Sequence, residues 1–522
     1  MLVEFLAPSD IVCCFSVSRA WRDAFGNPLI LLRVLKRCFP LAREARSLRQ
    51  DGAFDKPRAS TTDGAYIRAI FSRVACRYYH LSRGKPRSIH KFGLCEGLGP
   101  TGDREFFPVQ PWACHASQIM EVDWNFPEAF WTYEDGLLVY PSAEYHQFIL
   151  MDLESAVYNP IIIPFTISGK VIRRVRLRFQ VLVIEWAETS AFHWLDDIDG
   201  VHRHFACAYD LTRIDPCGTE NNHLGKDDES NRAWRVTLRN EWKIMFLGHP
   251  LNERDRFYSS HTKTHYAIYI WQPNRSLYTA DEDAPIESLM VWDISAPSKY
   301  RPSLDPTGRI KEQLLSETAG RKGDDNAGPH VVSRFSFREL NFFLVRQRGL
   351  PGLQRLEITD DGQSIEITEC ILDQFTLHYD PHYDPATWNA DVHTVTIPVN
   401  GVGPCWWRKT PDLFGPYRGN SSLRSSHPLT AASNGRDNGN EPWFTVISEA
   451  ADRDAQVYFR FYFLPSLMPN LHRALSIRTP STYLSANMPD FYPLLAKGKI
   501  RGNERFLVGE DYTGRLVIYR FD

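Results

Sequence analysis

Phe148-Ile149-Leu150-Met151-Asp152-Leu153 reads as a short apolar strand that stops on an aspartate followed by a leucine. The phrase returns as Phe205-Ala206-Cys207-Ala208-Tyr209-Asp210-Leu211 and as Leu289-Met290-Val291-Trp292-Asp293-Ile294. Looser copies stand at residues 354–358, with Glu357 in the acidic place, and at residues 516–521. Apolar runs this short, closed by a turn-forming side chain, build antiparallel sheet, whereas a helix needs a longer run at period 3.6.

The surrounding pattern agrees. Residues 129–133 and 137–140 flank Glu134-Asp135-Gly136, a hairpin signal, and residues 145–152 supply the next strand. Residues 171–178 alternate, and Arg173, Arg174, Arg176 and Arg178 read as a solvent-facing strand edge, because cations there discourage edge-to-edge pairing. Residues 179–186 form a nearly continuous apolar run. The acidic positions Asp152, Asp210 and Asp293 are 58 and 83 residues apart, against ~40 to 45 in WD repeats. A propeller hides its sheet edges by radial closure, which suits many short strands without alternating helices. Its loops here must be long, and residues 216–232, 316–330 and 418–442 read as such polar loops.

The 522 residues suggest three or four domains at roughly 150 residues each, or one large repeat assembly beside something small. Hydrophobic residues at 43% and charged residues at 24% are globular values, which excludes disorder. Fourteen Trp, 22 Tyr and 31 Phe, with 34 Pro and 31 Gly, favour strands and turns. The net charge of -3 carries no general nucleic-acid footprint. No apolar run approaches the ~18 to 20 residues of a membrane span, and Glu4 and Asp10 interrupt the start where a signal peptide would be apolar. Ten cysteines without Cys-x-x-Cys spacing read as reduced thiols of an intracellular protein, cytoplasmic or nuclear.

The beginning of the chain is different. Ser9 after Pro8 is placed to cap a helix with Asp10 in its first turn. Ile11 and Phe15 share one face, and Val17, Trp21 and Phe25 repeat at four-residue spacing, so two short helices are expected to pack around Trp21. Gly26-Asn27-Pro28 supplies a stop. Residues 29–39 continue as an apolar helix ended by Pro40. Residues 65–81 form a second amphipathic helix on Ile67, Ile70, Phe71, Val74, Tyr78 and Leu81, with Arg68, Arg73 and Arg77 on a solvated face.

Leu6, Pro8, Asp10 and Ile11, followed by Val17-Ser18-Arg19-x-Trp21-Arg22, resemble the second half of an F-box, the three-helix motif that docks the Skp-type adaptor of SCF ubiquitin ligases. Only residues 1–4 precede Phe5, so the first helix of the motif is mostly missing from this sequence. The strand-rich remainder resembles the irregular β-propeller-like C-terminal halves of fungal F-box proteins, through residues 80–88, 131–141, 185–188 and 202–205. The fold expected is therefore mainly β with an α-helical N-terminus. Its parts are partial F-box helices over residues 1–40, a helical connector over 41–105 and a β-propeller-like domain over 106–522.

The resemblance implies a substrate-recognition subunit of an SCF-type E3 ligase. Leu6, Pro8, Ile11, Val12, Phe15, Val17 and Trp21 would dock the adaptor and its cullin-based ligase, and the body would bind a target protein. Two alternatives stay open: a propeller-like binding scaffold outside any ligase, and a propeller enzyme with an unrecognised site. No catalytic, cofactor or metal residues are expected. Gly97-x-Gly99-x-x-Gly102 has the dinucleotide spacing but no helix start behind it. The repeat His378-Tyr-Asp380-Pro-His382-Tyr-Asp384-Pro reads as extended turns, and Asp196-Asp197-Ile198-Asp199-Gly200 as an acidic turn without the glutamate of a calcium loop. His261 and His265 read as one strand, which would hold them ~13 Å apart.

Overall fold

The computed structural model describes residues 6–52, 54, 61–96, 98, 129–155, 159–194, 200–214, 233–244, 251–252, 256–272, 286–306, 328–343, 345, 353–371, 391–401, 406–411, 416–417, 444–464, 472–486, 489–494 and 499–522. Among these residues 46% are strand and 22% helix, so the chain is mainly β with an α-helical N-terminus. Two compact units divide it: Gly93–Gly415, and Met1–Phe92 together with Pro416–Asp522.

Gly93–Gly415 carries four four-stranded antiparallel sheets, each taking its strands in chain order. The first uses Thr132–Glu134, Leu137–Ser142, Gln147–Asp152 and Ile161–Ile162. The second uses Lys170–Arg178, Val181–Glu188, His204–Ile214 and Ala233–Ile244, with a small sheet of His193–Trp194, Gly200–His202 and Leu251–Asn252 set into it. The third uses Arg256–His261, His265–Gln272, Ile286–Asp293 and His330–Ser336, and the fourth Leu353–Ile358, Ser364–Ile371, Asp391–Pro398 and Trp406–Pro411. A short helix, Phe337–Phe342, follows the third sheet and is closed by a Ser336–Glu339 capping box.

Consecutive sheets share cores. Val139, Phe148 and Leu150 of the first meet Ile172, Ile184 and Trp186 of the second. Val183, Ala206 and Trp242 meet Phe257, Tyr266 and Ile268 of the third, and Tyr258, Tyr269 and Leu289 meet Leu356, Ile367 and Ile397 of the fourth. A sheet covered on both faces has no polar side, which is why Val181–Glu188 reads as one apolar run.

Local chemistry sets some of the turns. Asp135 and Gly136 both have positive φ (46° and 85°), the two-residue turn expected of an Asp-Gly hairpin. Phe179 and Gln180 also have positive φ (54° and 59°), so the apolar run expected over residues 179–186 is broken by a turn. Neither residue favours that conformation. Tertiary contacts hold it: the Glu134 carboxylate accepts the N–H groups of Phe179 and Gln180, and the Gln180 carbonyl accepts from Leu211 N at 3.0 Å.

The strand-ending aspartates divide. Asp152 and Asp293 do end strands and accept the N–H two residues on, from Glu154 at 2.9 Å and from Ser295 at 2.8 Å. Asp210 lies inside its strand, which continues to Ile214, because the Arg239 guanidinium pairs with its carboxylate.

The other unit begins with five helices: α1 (Pro8–Cys14), α2 (Arg19–Phe25), α3 (Pro28–Cys38), α4 (Arg43–Gln50) and α5 (Thr61–Arg83). Pro8 takes the first position of α1, so Ala7 is its N-cap and Ser9, expected to cap, sits inside the helix. Ser18 and Asn27 cap α2 and α3 through Trp21 N (3.2 Å) and Leu29 N (2.9 Å). Ser88–Gly93, a strand within the stretch expected to be a helical connector, joins Arg515–Arg520, Phe506–Glu510 and Arg501–Gly502 in one sheet. A second sheet takes Pro416–Tyr417, Phe444–Asp452, Val457–Leu464, His472–Arg478 and Tyr483–Ala486.

Arg77 ties helices to sheet. It is fully buried, not on the solvated face expected for it, and donates to Glu504 Oε1 at 2.8 Å and Glu44 Oε2 at 3.0 Å. Glu504 also accepts from Tyr78 Oη and from Arg43 N, each at 3.0 Å. Burial opposes the Arg77 cation, but Glu504 and Glu44 outweigh it and hold the guanidinium more firmly protonated than usual. Burial likewise opposes the Glu44 carboxylate, and Arg77 overrides it and lowers its pKa.

Candidate functional site

Amphipathic α3 and α5 build the platform of the N-terminal helices. Leu31, Val34 and Leu35 of α3 are buried with Ile67, Ile70, Phe71 and Val74 of α5, and Ile11 and Cys14 of α1 join them. The helices run side by side in one direction. Gly64 sits under Pro28, where a Cβ would come within 3.3 Å of the Pro28 ring, and at the far end the Phe39 and Tyr78 rings are 4.9 Å apart. Gly26, at the end of α2, packs against Arg22 O and the Arg68 side chain so closely that a Cβ would lie 2.3 Å and 2.7 Å from them. The end of α2 and the starts of α3 and α5 therefore meet at one corner.

That corner sorts the seven candidate docking residues. Ile11 is wholly buried, and Leu6, Pro8, Val12 and Phe15 are half-buried, the Phe15 ring lying 6.3 Å from Phe71. Val17 and Trp21 are 60% and 46% exposed. The expected packing around Trp21 is thus corrected: α2 buries none of its residues, and the Trp21 ring lies against Phe25, one turn on in the same helix, at 5.4 Å. Leu29 and Tyr66, which periodicity did not single out, are also exposed, at 56% and 57%. Large apolar side chains left in solvent at the meeting point of three helices form the most prominent candidate surface of these residues.

The arginine strand is a second polar concentration, and its expected solvent-facing role is corrected. Arg173 and Arg174 are 3% and 6% exposed. Arg174 donates to Ser259 O at 2.9 Å and Ser259 Oγ at 2.8 Å, and Arg176 to Ser259 O at 2.9 Å. Arg173 meets His204 Nε2 at 2.8 Å, and Tyr266 Oη donates to Glu185 Oε1 at 2.8 Å. A register shift between Ile172 and Arg174 turns these cations into the seam between the second and third sheets. His261 meets Val181 O at 2.9 Å across the same seam. His261 and His265 belong to two strands of a hairpin, not to one strand as expected, and His265 turns instead to Thr264 Oγ1 at 3.0 Å.

The histidines of the seam are held neutral. Burial first, then Arg176, lowers His261 to about 3, and burial with Arg173 lowers His204 well below its usual 6.5. Burial and Glu241 push the Cys207 thiol up, and burial and Glu185 do the same to Tyr266. His204, His261 and Tyr266 therefore join the second and third sheets as uncharged groups, whereas Cys207 lies on the other face of the second sheet, in the core shared with the first. Below pH 6.5 the unfolded chain protonates both histidines while the folded chain keeps them neutral, so stability falls as pH falls. Chemical denaturation is expected to show a loss of about 1.4 kcal/mol per histidine for each pH unit below that value. His261→Gln should flatten the slope between pH 6.5 and 5, where depressed carboxylates such as Asp511 and Asp522 do not yet titrate.

The glycines Gly97, Gly99 and Gly102, the His378–Asp384 repeat, Asp196, Asp197 and Asp199, and nearly all of the three polar loops lie outside the described residues.

No family model and no curated protein matches the chain. Solved structures do. The β-propeller domain of the Trilobed protease from Pyrococcus furiosus is 8% identical, with 66% of this chain and 77% of that chain covered and a TM-score of 0.25. An acylaminoacyl peptidase in complex with Z-Gly-Gly-Phe-chloromethyl ketone is 6% identical (TM-score 0.27), and the Pyrococcus horikoshii acylaminoacyl peptidase 7% (TM-score 0.27). Each covers 65% of this chain, which spans 43% and 42% of those two peptidases. The consecutive four-stranded antiparallel sheets of Gly93–Gly415 are elements of the kind from which a propeller is built. The expectation that the chain is not an enzyme is withdrawn, since the structures it matches include two peptidases and the propeller domain of a protease. At such identities and TM-scores the likeness assigns no active site.

Proposed function

We propose that this chain is a substrate-recognition subunit of an SCF-type ubiquitin ligase. Its N-terminal helices would dock a Skp-type adaptor, and through it a cullin-based ligase, while the propeller-like body would hold a target protein. The observation that carries the reading is the exposure of Val17 and Trp21 on a segment that buries nothing else. These are the positions of the F-box-like motif, and the helical core does not consume them. Such a subunit works inside the cell, which suits the free thiols of Cys13, Cys14, Cys38, Cys76, Cys95 and Cys207.

The test is calorimetric titration of the full chain with a purified Skp-type adaptor. Ile11 is unsuitable for mutation because it is core, whereas Val17→Asp and Trp21→Ala change exposed groups. Wild type should bind, and the double variant should lose at least ~30-fold in affinity, the weight of one or two interface anchors. It should keep an unchanged circular dichroism spectrum. Absence of wild-type binding, or equal binding by the double variant, would sink the reading.

A further inference from the structure

The chain's net charge of -3 conceals a strong division. Residues 1–92 hold 17 Lys and Arg against 7 Asp and Glu, a net +10, which leaves -13 on residues 93–522. One of the seven acids, Glu44, is committed to the buried Arg77. The outward stripe of α3 reads Leu29, Arg33, Lys36, Arg37, and that of α5 reads Tyr66, Ala69, Arg73, all exposed. Because α3 and α5 run parallel from a shared corner, both stripes begin apolar and become cationic further along.

We propose that this face docks an acidic protein surface, apolar at one end and carboxylate-rich along the rest. The proposal deepens the adaptor reading and rests on it for the identity of the partner. Charge complementarity selects an anion, since cations clustered on one side of a molecule steer anionic partners toward it. Exposed Leu29, Tyr66 and Trp21 select a protein, because a phosphate backbone offers these side chains few apolar atoms to cover.

The full chain is titrated with a helical peptide bearing leucines on its first turn and glutamates along the remainder of that face, and with the same peptide carrying glutamines. The glutamate peptide should bind about tenfold more tightly at low salt, with the difference shrinking as salt screens it. Arg33→Gln/Lys36→Gln/Arg37→Gln should close the gap, and Arg73→Gln, on the other helix, should narrow it. Equal affinity for the two peptides, or no binding of either, overturns the proposal. So does tighter binding to phosphatidylserine vesicles or to duplex DNA than to the glutamate peptide. The two readings fail separately. An adaptor that does not bind while the glutamate peptide does removes the ligase reading, whereas adaptor binding indifferent to salt and to the triple substitution removes this one.

Discussion

Arg77→Met should cost the unit of residues 1–92 and 416–522 about 3–5 kcal/mol, the usual penalty for removing one partner of a buried ion pair. Glu504 is 1% exposed, and without Arg77 its Oε1 keeps only the N–H of Arg43, while Glu44 loses its guanidinium entirely. Two carboxylates would then stay ionised in a poorly solvated site or take up protons, and either outcome costs folding energy. The partners come from distant parts of the chain, Glu44 on α4, Arg77 on α5 and Glu504 beside the last hairpin. The same substitution should therefore loosen the helices from the closing sheet. Urea unfolding followed by tryptophan fluorescence, with hydrogen exchange over residues 501–520, reads both effects. The triple variant Arg77→Met, Glu44→Leu, Glu504→Leu should recover part of the loss, because no charge is left stranded. A cost below about 1 kcal/mol for Arg77→Met would match an exposed pair and would contradict the burial.

The second large effect belongs to Arg174→Met, also expected at about 3–5 kcal/mol. Its guanidinium holds both the carbonyl and the hydroxyl of Ser259, and its strand pairs it directly with Glu185, which is 2% exposed. Methionine keeps the apolar stem but strips the Ser259 hydroxyl of the Arg174 donor, leaves the Ser259 carbonyl the Arg176 guanidinium, and removes the cation from the position across from Glu185. Tyr266→Phe, which removes only the hydroxyl donated to Glu185, should cost less, about 1–3 kcal/mol. Hydrogen exchange should show protection lost first over Arg256–His261 and Lys170–Arg178. A loss from Arg174→Met no larger than that from Tyr266→Phe would contradict the larger share expected of the guanidinium.

Short-range chemistry was readable along the chain. Asp135-Gly136 announces a hairpin because only residues tolerant of positive φ make that turn cheaply, and Ser18, Asn27 and Pro28 announce helix boundaries because they satisfy or lack particular backbone groups. The turn at Phe179-Gln180 carries no such sign, since the Glu134 carboxylate that stabilises it lies more than forty residues upstream.

The candidate site divides in the same way. The positions of Ile11, Phe15, Val17 and Trp21 on helical faces follow from their spacing, but spacing treats a core position and a docking position alike. Arg173 and Arg174 read as solvated for the same reason, because charge alone does not reveal that a facing sheet supplies Ser259 and a cross-strand neighbour supplies Glu185. By itself the sequence determined the mainly β composition, the helical beginning and the turns whose own residues carry the signal. Only the tertiary structure decided that Trp21 faces solvent while Arg77 and Arg174 do not, because burial depends on which distant segment arrives to cover a side chain or neutralise its charge.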